Sequence, residues 1–459
     1  MNKKKKLGIV EIMLIALVAS FIVGAIFMYA HDKLIKTGNE HIWDTIYSIF
    51  FQDITVAGAK GTGIFYVIGT LFMNALRLTI VPLVFTSLIL AMSSITDLKK
   101  LGRIAYKGLL GFLGMYIIGC IFAGIVALIA RNLGWISVSS LMGSEISNIV
   151  QVGTANPLSV FIAMVPQNLA SALSDNNNVL AVVFIAVVLG ISIGVLDEKT
   201  KGVKSIIEEA NEIIQLCIGF LINKIGPIAI FSLIVRAFAL YGIEQIKPVL
   251  IYVVVTIVVL IIYLLVGYPI IIAITTKLNP ITFMRKMTKV ALIAFSTASS
   301  SPALPLNLKT NTEELGISSE IANFILPLGM TINMNGTSIM HVIGTIFIAT
   351  ASGYNVTIPD ILMMSMLSIL AAAGTPALPA AGTVLLFTVL NGMGYVNETA
   401  LITYSLILAI NKPVEMVLTM LNVVGDAATS LIIADSENEL DRDIYYDRKT
   451  YDTTCNTLN

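Results

Sequence analysis

The stretch from Leu326 to His341 combines side chains that bind ions and small solutes with a run of apolar residues. It contains two Asn, two Thr, a Ser, a His and the helix-breaking Gly336. Polar groups are costly at membrane depth, and non-helical backbone is tolerated there only where protein or a water-filled cavity covers it. The stretch therefore predicts a binding or permeation site inside a membrane.

A second polar set lies near the end of the chain. Glu415, Thr419, Asn422 and Asp426 follow i, i+4, i+7, i+11 spacing, which places them on one face of a helix. Lys412 precedes Glu415 by three residues and leaves two alternatives. Either the two form an ion pair that partly neutralises Glu415, or Lys412 extends towards water and leaves Glu415 available for a substrate or a proton.

The composition indicates a membrane protein and excludes several other classes. Hydrophobic residues make up 56% of the 459 residues, and charged residues make up 12%, about half the share usual in soluble proteins. Lys plus Arg equals Asp plus Glu at 28 each, so the charge gives no reason to expect a nucleic-acid partner. The three scattered cysteines favour neither disulfides nor a zinc site.

An enzyme is not expected. Gly190-Ile-Ser-Ile-Gly194 fits the G-x-S-x-G pattern of a catalytic serine, but it lies in an apolar run without a His or acidic residue nearby. The chain offers no set of acid, base and nucleophile and no motif for an organic cofactor.

Apolar runs long enough to cross a bilayer, about 20 residues for a core of about 30 Å, occupy much of the chain. They lie near 8–30, 63–93, 106–130, 179–196, 210–236 and 249–275. Lys and Arg concentrate at the N-terminus and in the connections at 94–107, 197–205 and 276–289, whereas 132–178 has none. We therefore expect a multi-pass protein of the cell membrane, in contact with lipid, with both termini in the cytoplasm.

Two related interrupted segments follow residue 275. Ser299-Ser-Ser-Pro-Ala-Leu-Pro305 and Gly374-Thr-Pro-Ala-Leu-Pro379 share Pro-Ala-Leu-Pro after small hydroxyl residues. Each precedes an Asn-rich break, Asn333-Met-Asn-Gly336 for the first and Asn422-Val-Val-Gly-Asp426 for the second. Paired interrupted segments point to the binding site of a transporter built from inverted repeats.

In this order and spacing, these motifs closely resemble the glutamate/dicarboxylate/neutral amino acid:cation symporters, and the likeness covers nearly the whole chain. The resemblance implies an all-α polytopic membrane fold with eight transmembrane helices, two re-entrant helical hairpins and inverted repeats. It also implies a homotrimer in which a transport domain slides against a fixed scaffold domain. This is an elevator-type alternating access, with the second hairpin as the outer gate.

The resemblance also implies a division of the chain. Scaffold helices 1 and 2 would occupy 1–105, and transport-domain helix 3 would occupy 106–130. An external segment and scaffold helices 4 and 5 would fill 131–236. The rest of the transport domain would span 249–434, with helix 6, hairpin one at 290–309, helix 7, hairpin two at 359–395 and helix 8. Residues 435–459 would form a frayed cytoplasmic tail.

The resemblance implies sodium sites built from hard oxygen ligands at the helix breaks. One would use Gly329, Asn333, Asn422 and Asp426. A second would use Thr331, Met334, Ala372, Ala373 and Thr375. A third departs from the family pattern, because Asn335 replaces an Asp and Met115 and Tyr116 stand where hydroxyl ligands are expected. We expect that third site to be weakened or absent.

The implied substrate site comprises Ser299, Ser300, Ser301, Thr337, Leu378, Gly382, Glu415, Leu418, Thr419 and Asn422. Asn422 and the hairpin-one backbone would hold an α-carboxylate, and Glu415 would hold the α-amino group. Members of the family that carry acidic amino acids have an Arg at the position of Leu418 or of Ala298, and both are missing here. A second carboxylate would therefore be buried without a charge partner.

We therefore expect a sodium-coupled symporter of a small neutral or polar amino acid. The alternative is a dicarboxylate or acidic amino acid:cation symporter of the same family, coupled to sodium or protons, and an ion channel is less favoured.

His341 stands where eukaryotic glutamate carriers have a proton-carrying Glu, so His341 and Glu415 are candidates for proton coupling. The alternative for His341 is a purely structural histidine.

Overall fold

The computed structural model describes residues 9–56, 58–95, 102–135, 165–174, 179–241, 246–375 and 380–448. Within these ranges the chain is helical, without β-strands apart from one isolated bridge between Ile317 and Leu440. The predicted all-α class is confirmed. Most of the predicted external segment at 131–178, and the end of the tail, lie outside the described residues.

The first part of the described chain contains helices α1 to α8. Their bounds are Ile9–Lys36 (α1), Glu40–Phe50 (α2), Ile64–Ile95 (α3), Gly102–Asn132 (α4), Leu169–Ser174 (α5), Val179–Leu196 (α6), Lys201–Phe220 (α7) and Gly226–Tyr241 (α8). A π-helical turn at Leu221–Ile225 joins α7 to α8. The predicted span at 210–236 therefore runs across this turn rather than forming one regular helix.

The second part contains α9 to α19. Their bounds are Ile246–Ile262 (α9), Tyr268–Thr276 (α10), Pro280–Thr297 (α11), Leu304–Lys309 (α12), Ser319–Ile332 (α13), Asn335–Ala351 (α14), Ile358–Ala373 (α15), Ala381–Gly392 (α16), Glu398–Ile410 (α17), Lys412–Glu437 (α18) and Arg442–Tyr445 (α19). A π-helical turn at Tyr263–Gly267 joins α9 to α10.

Six helical stretches of the described chain are long and apolar enough to cross a membrane. They are Val18–Lys36, Ile64–Leu90, Gly102–Asn132, Val249–Thr276, Ser319–Ala351 and Lys412–Glu437. Shorter apolar helices, such as Ile358–Ala373 and Ala381–Gly392, accompany them. The chain is therefore a polytopic membrane protein, while the count of eight spans and the re-entrant hairpins stay predictions.

The first helix–break–helix unit begins earlier than the sequence indicates. The Asn279 side chain accepts a hydrogen bond from the Ile281 N–H, and Pro280 occupies the first helical position, so α11 starts there rather than at 290. It ends at Thr297, followed by Ala298 in the left-handed region with φ of 48°. The cationic residues predicted in a loop at 276–289 therefore lie largely within this helix.

The helices pack in two groups. In one, α1 packs on α8, and α3 packs on α6, α7 and α8. In the other, α14 packs on α4, α15 and α18, while α18 also contacts α9, α11 and α13. Every residue of α14 is buried, so the polar stretch identified first lies at the centre of the second group. The division into scaffold and transport domains stays a prediction.

The C-terminal segment after α18 folds back on the second group. The Ser318 N–H donates to the Glu439 carbonyl at 3.0 Å, and the Asp441 N–H donates to the Gly316 carbonyl at 2.8 Å. Tyr445 is fully buried. The expectation of a frayed tail is therefore wrong for residues 438–448, because specific backbone pairing holds them in place.

Candidate functional site

Two polar segments meet where one helix is interrupted. Between α13 and α14, Asn333 and Met334 leave the helical conformation with ψ of 74° and 55°. The Asn422 side chain on α18 reaches this break, and its Oδ1 accepts a hydrogen bond from the Gly336 N–H at 2.7 Å. A Cβ on Gly336 would lie 2.7 Å from the Leu418 carbonyl oxygen. Only a glycine therefore lets α14 approach α18 this closely.

A cavity opens beside this contact. It is lined by Ala298, Ser299, Ser300, Met334, Thr337, Thr375, Ala380, Gly382, Glu415, Leu418, Thr419 and Asn422. Eight of the ten predicted substrate residues are in this lining. Ser301, at the start of a 3₁₀ turn, is exposed and does not line the cavity. Leu378 lies outside the described residues.

Glu415 is buried, with 4% of its surface exposed, and its partners come from the second interrupted segment. The Ala380 N–H donates to its Oε2 at 2.8 Å, and the Thr383 hydroxyl donates to its Oε1 at 2.5 Å. Among the described residues, Lys412 forms no ion pair with Glu415. Of the two alternatives raised by the sequence, the geometry therefore favours a Glu415 that Lys412 does not contact.

The first predicted cation set is brought together. Asp426 is 2% exposed and accepts a hydrogen bond from Asn333 Nδ2 at 2.9 Å. A Cβ on Gly329 would lie 2.5 Å from Asp426 Oδ1, so the carboxylate lies against the backbone of α13. Asn333 Oδ1 is buried without a partner in the described part of the chain. A buried carboxylate beside an unpartnered amide oxygen is a donor set that suits a hard cation.

The second predicted cation set is only partly assembled. Met334 and Ala372 are buried together in a small cluster with Tyr116, and Thr375 lines the cavity. The Thr331 hydroxyl donates to the Leu328 carbonyl of its own helix at 2.8 Å. Ala373 is half-buried and lies outside the cavity lining.

Tyr116 occupies the helix break itself. Its hydroxyl donates to the Ile332 carbonyl at 2.5 Å and accepts from the Met334 N–H at 2.7 Å. Both backbone groups face the interruption between α13 and α14, where a cation would otherwise compete for the carbonyl. Asn335 is fully buried and donates to the Tyr268 hydroxyl at 3.2 Å.

His341 is fully buried and contacts the second interrupted segment. Its Nε2 lies 2.7 Å from the Gly382 carbonyl oxygen. A carbonyl only accepts, so Nε2 carries the hydrogen. Nδ1 has no partner among the described residues.

Sequence reasoning missed a group of residues behind Glu415, namely Thr383, Asn411 and Tyr252. Asn411 Nδ2 donates to the Thr383 hydroxyl at 2.6 Å, and the Tyr252 hydroxyl donates to Asn411 Oδ1 at 3.0 Å. Isolated Thr, Asn and Tyr in apolar runs have no spacing that marks them. The available signal was Pro413, which lacks an N–H and marks the break after Asn411.

Interrupted membrane helices whose breaks and polar side chains surround a buried cavity define a solute transporter of the secondary active class. The chain belongs to the sodium:dicarboxylate symporter family, whose model matches residues 9–436. The predicted family resemblance is therefore confirmed, and the protein is a membrane transporter rather than an enzyme.

Several relatives resemble the chain over most of its length. The proton/sodium-glutamate symport protein of Bacillus caldotenax is 24% identical, over 95% of this chain and 96% of the relative. The C4-dicarboxylate transport protein of Bacillus subtilis (strain 168) is also 24% identical, over 82% of this chain and 88% of the relative. The human excitatory amino acid transporter 2 is 26% identical, over 81% of this chain and 73% of the relative.

Proposed function

We propose that this chain is a secondary active symporter that carries a small amino acid together with sodium or protons. The observation that supports it best is the cavity between α18 and the two breaks. Glu415 offers a buried carboxylate for an ammonium group. Among the described residues, Asn422 Nδ2 has only the Met334 thioether at 3.2 Å and Thr337 at 3.5 Å as acceptors, and a carboxylate is a far better acceptor than either.

The relatives support an acidic solute better than the neutral amino acid expected from the sequence. Two of these proteins are named for glutamate and for C4-dicarboxylates, and both kinds of solute carry two carboxylates. Glutamate is the solute that the first of these names gives, and it also supplies the amine that Glu415 suits. An acidic amino acid is therefore the first candidate.

A neutral or polar amino acid is the second candidate, favoured by the lining of the cavity. No described lining residue is cationic, and Leu418 contributes an apolar side chain. Residues 376–379 read Pro-Ala-Leu-Pro and add no charge. A second carboxylate in this cavity would lose water without gaining a cationic partner, which costs on the order of several kcal/mol.

Asp426 is the residue that indicates a coupled cation. It is a buried carboxylate without a Lys or Arg partner among the described residues, so a bound cation would supply the missing positive charge. The Bacillus caldotenax relative is named for both proton and sodium. We propose sodium at Gly329, Asn333, Asn422 and Asp426, with Glu415 and His341 as candidates for a proton.

We also propose that fewer cations are bound than in the family pattern. The Tyr116 hydroxyl already satisfies Ile332 and Met334 at the break, and a neutral amide at Asn335 replaces a carboxylate. These observations support the expectation of a weakened third site.

We also propose the remaining features that the resemblance to this family implies. They are a homotrimer in the plasma membrane, both termini in the cytoplasm, and an elevator-type movement of the second helix group past the first.

Uptake by purified protein in proteoliposomes tests the proposal. We expect a radiolabelled amino acid to accumulate against its gradient when an inward sodium or proton gradient is imposed, and to stop accumulating when that gradient is removed. Flux that only follows the electrochemical gradient of the solute would instead indicate a channel.

Glu415→Gln should abolish amino acid uptake, whereas uptake of a dicarboxylate without an amine should be affected much less.

Leu418→Arg tests the side chain of the solute. A guanidinium in the cavity adds charge-assisted, bidentate hydrogen bonds to a second carboxylate, so binding of L-glutamate should tighten by about tenfold or more. Leu418→Lys is the matched control and should gain less, since it lacks the planar fork. If wild-type protein already binds glutamate as tightly as the Arg variant, the second candidate is wrong.

A further inference from the structure

Four buried groups form a line of hydrogen bonds that ends on the Glu415 carboxylate. Tyr252 on α9 donates to Asn411, Asn411 donates to the Thr383 hydroxyl, and that hydroxyl donates to Glu415 Oε1, with distances of 3.0, 2.6 and 2.5 Å. Because the Thr383 oxygen accepts from Asn411, its own hydrogen is directed at the carboxylate. Every donor therefore points towards Glu415, and bonds aligned in this way strengthen one another.

The other carboxylate oxygen holds a backbone group. The Ala380 N–H donates to Glu415 Oε2 at 2.8 Å. Ala380 has φ of 67°, in the left-handed region that residues other than glycine rarely adopt. A conformation of this kind is strained and persists only where surrounding contacts impose it. The bond from Glu415 is such a contact, so the carboxylate helps to fix the start of α16.

These bonds join two walls of the cavity. Ala380 and Gly382 line it from the α16 side, whereas Glu415, Leu418 and Thr419 line it from α18. A solute entering between these walls must part them, and Glu415 is the group that ties them together. An ionised carboxylate accepts at about four positions, and the groups that Ala380 and Thr383 offer, including the Thr383 backbone, do not fill all of them. Glu415 therefore has acceptor capacity left for an ammonium group in the cavity.

We propose that the line of hydrogen bonds behind Glu415 positions its carboxylate so that it holds the α16 wall and the ammonium group of the solute at the same time. Thr383, Asn411 and Tyr252 are its positioning residues: they orient the carboxylate and stabilise its negative charge without a cation in contact. The claim that Glu415 binds the ammonium group of the solute rests on the proposed function. The attachment of α16 to α18 does not.

Thr383→Val tests this with a matched control on the same helix. Valine has nearly the same shape but cannot donate to Glu415. Thr388 on α16 is also buried, and its hydroxyl has no partner among the described residues. Thr388→Val therefore removes a hydroxyl without removing a described hydrogen bond. Hydrogen–deuterium exchange of the full-length protein in nanodiscs, without solute, should show faster exchange across 381–392 in Thr383→Val only.

Uptake kinetics provide the second readout. Loss of a hydrogen bond to a charged group of this kind corresponds to about a tenfold rise in KM for the amino acid. Thr383→Ser should restore wild-type KM and exchange. Tyr252→Phe, at the far end of the line, should shift both in the same direction by less. A role in folding alone would lower the yield of folded protein but leave the KM of the folded fraction unchanged.

The outcomes separate the two proposals. If Thr383→Val matches Thr388→Val in exchange and KM while wild-type protein carries an amino acid, the shared role of Glu415 is wrong and the proposed function stands. If wild-type protein carries no amino acid, the proposed function fails, and the exchange comparison still decides whether Glu415 ties α16 to α18.

Discussion

At the scale of single residues, the site depends on the absence of side chains as much as on their presence. Gly329 lets the Asp426 carboxylate lie against the backbone of α13, since a Cβ there would approach Oδ1 to 2.5 Å. Van der Waals contact between carbon and oxygen requires far more space, so any side chain at 329 must push the carboxylate away. The cation proposed for this place requires both the carboxylate and nearby carbonyl oxygens.

Gly329→Ala should therefore remove the stabilising effect of sodium. Ligand binding raises the melting temperature in proportion to the logarithm of ligand concentration, and we expect this rise to disappear in the variant. Gly114→Ala is the matched control, because a Cβ at Gly114 on α4 meets nothing within 4 Å. That variant should keep the sodium response. An unchanged sodium response in Gly329→Ala would contradict the cation site.

At the scale of helices, the positions of the breaks were more predictable from the sequence than the residues that each helix contacts. Gly, Pro and Asn marked the interruption after Ile332 and the unit around 298–303, because these residues disturb helices locally. The earlier start at Pro280 had its own local signal in the Asn279 cap. The contacts of α16 had no local signal, since the bonds from Tyr252 to Glu415 join residues 28 to 159 positions apart. Such pairing is set by tertiary packing, which local patterns do not record.

The docked tail is another contact of this kind. Lys286 on α11 is 8% exposed and donates to three carbonyls, of Glu314, Ile444 and Tyr445, at 2.7 to 3.0 Å. Its ammonium also pairs with Asp447 at 2.7 Å. The sequence placed this lysine in a solvated loop, because a charged side chain is almost never fully buried without partners. Ile444 and Tyr445 lie 158 and 159 positions from Lys286 along the chain, and Glu314 lies 28 positions away.

Lys286→Met should release the tail from α11. The three carbonyls lose their donor, and leaving buried acceptors unpaired costs about 1–3 kcal/mol for each strongly affected group. We expect faster hydrogen–deuterium exchange across residues 438–448. Lys309→Met is the control, since its side chain is 62% exposed and its pair with Glu313 is 3.7 Å long. Equal exchange in both variants would show that Lys286 does not hold the tail.

The same contact predicts a dependence on pH. The hydrogen bond from Lys286, with the charges of Lys286 and Arg285, lowers the pKa of Asp447 below its usual 3.8. A carboxyl whose pKa is lowered on folding stabilises the folded state above its unfolded pKa and loses that contribution as pH falls through the lowered value. The difference in melting temperature between wild type and Asp447→Asn should be constant near neutral pH and shrink below about pH 4.

At the scale of the whole molecule, apolar character alone does not distinguish buried helices from lipid-facing ones. All 17 residues of α14 are buried, whereas Ile22, Ile26 and Leu78 on α1 and α3 are 58%, 60% and 74% exposed. Lipid is as apolar as a protein core, so both kinds of helix read alike in sequence. The grouping of helices therefore emerges only from the structure, and it bears on how the molecule moves.

Leu88 on α3 belongs to the first helix group, and Gly374 follows α15 in the second. A Cβ built on Gly374 lies 3.9 Å from the Leu88 Cβ, within the range of about 3.5–4.5 Å that a disulfide requires. If transport needs the second group to slide past the first, Leu88→Cys with Gly374→Cys should stop uptake when oxidised and recover it after reduction. The background replaces Cys120, Cys217 and Cys455, and each single-cysteine variant serves as control. A double variant that is fully cross-linked, as shown by mass spectrometry, yet transports at the reduced rate would contradict the sliding movement, because the bond fixes α3 to the segment beside the cavity.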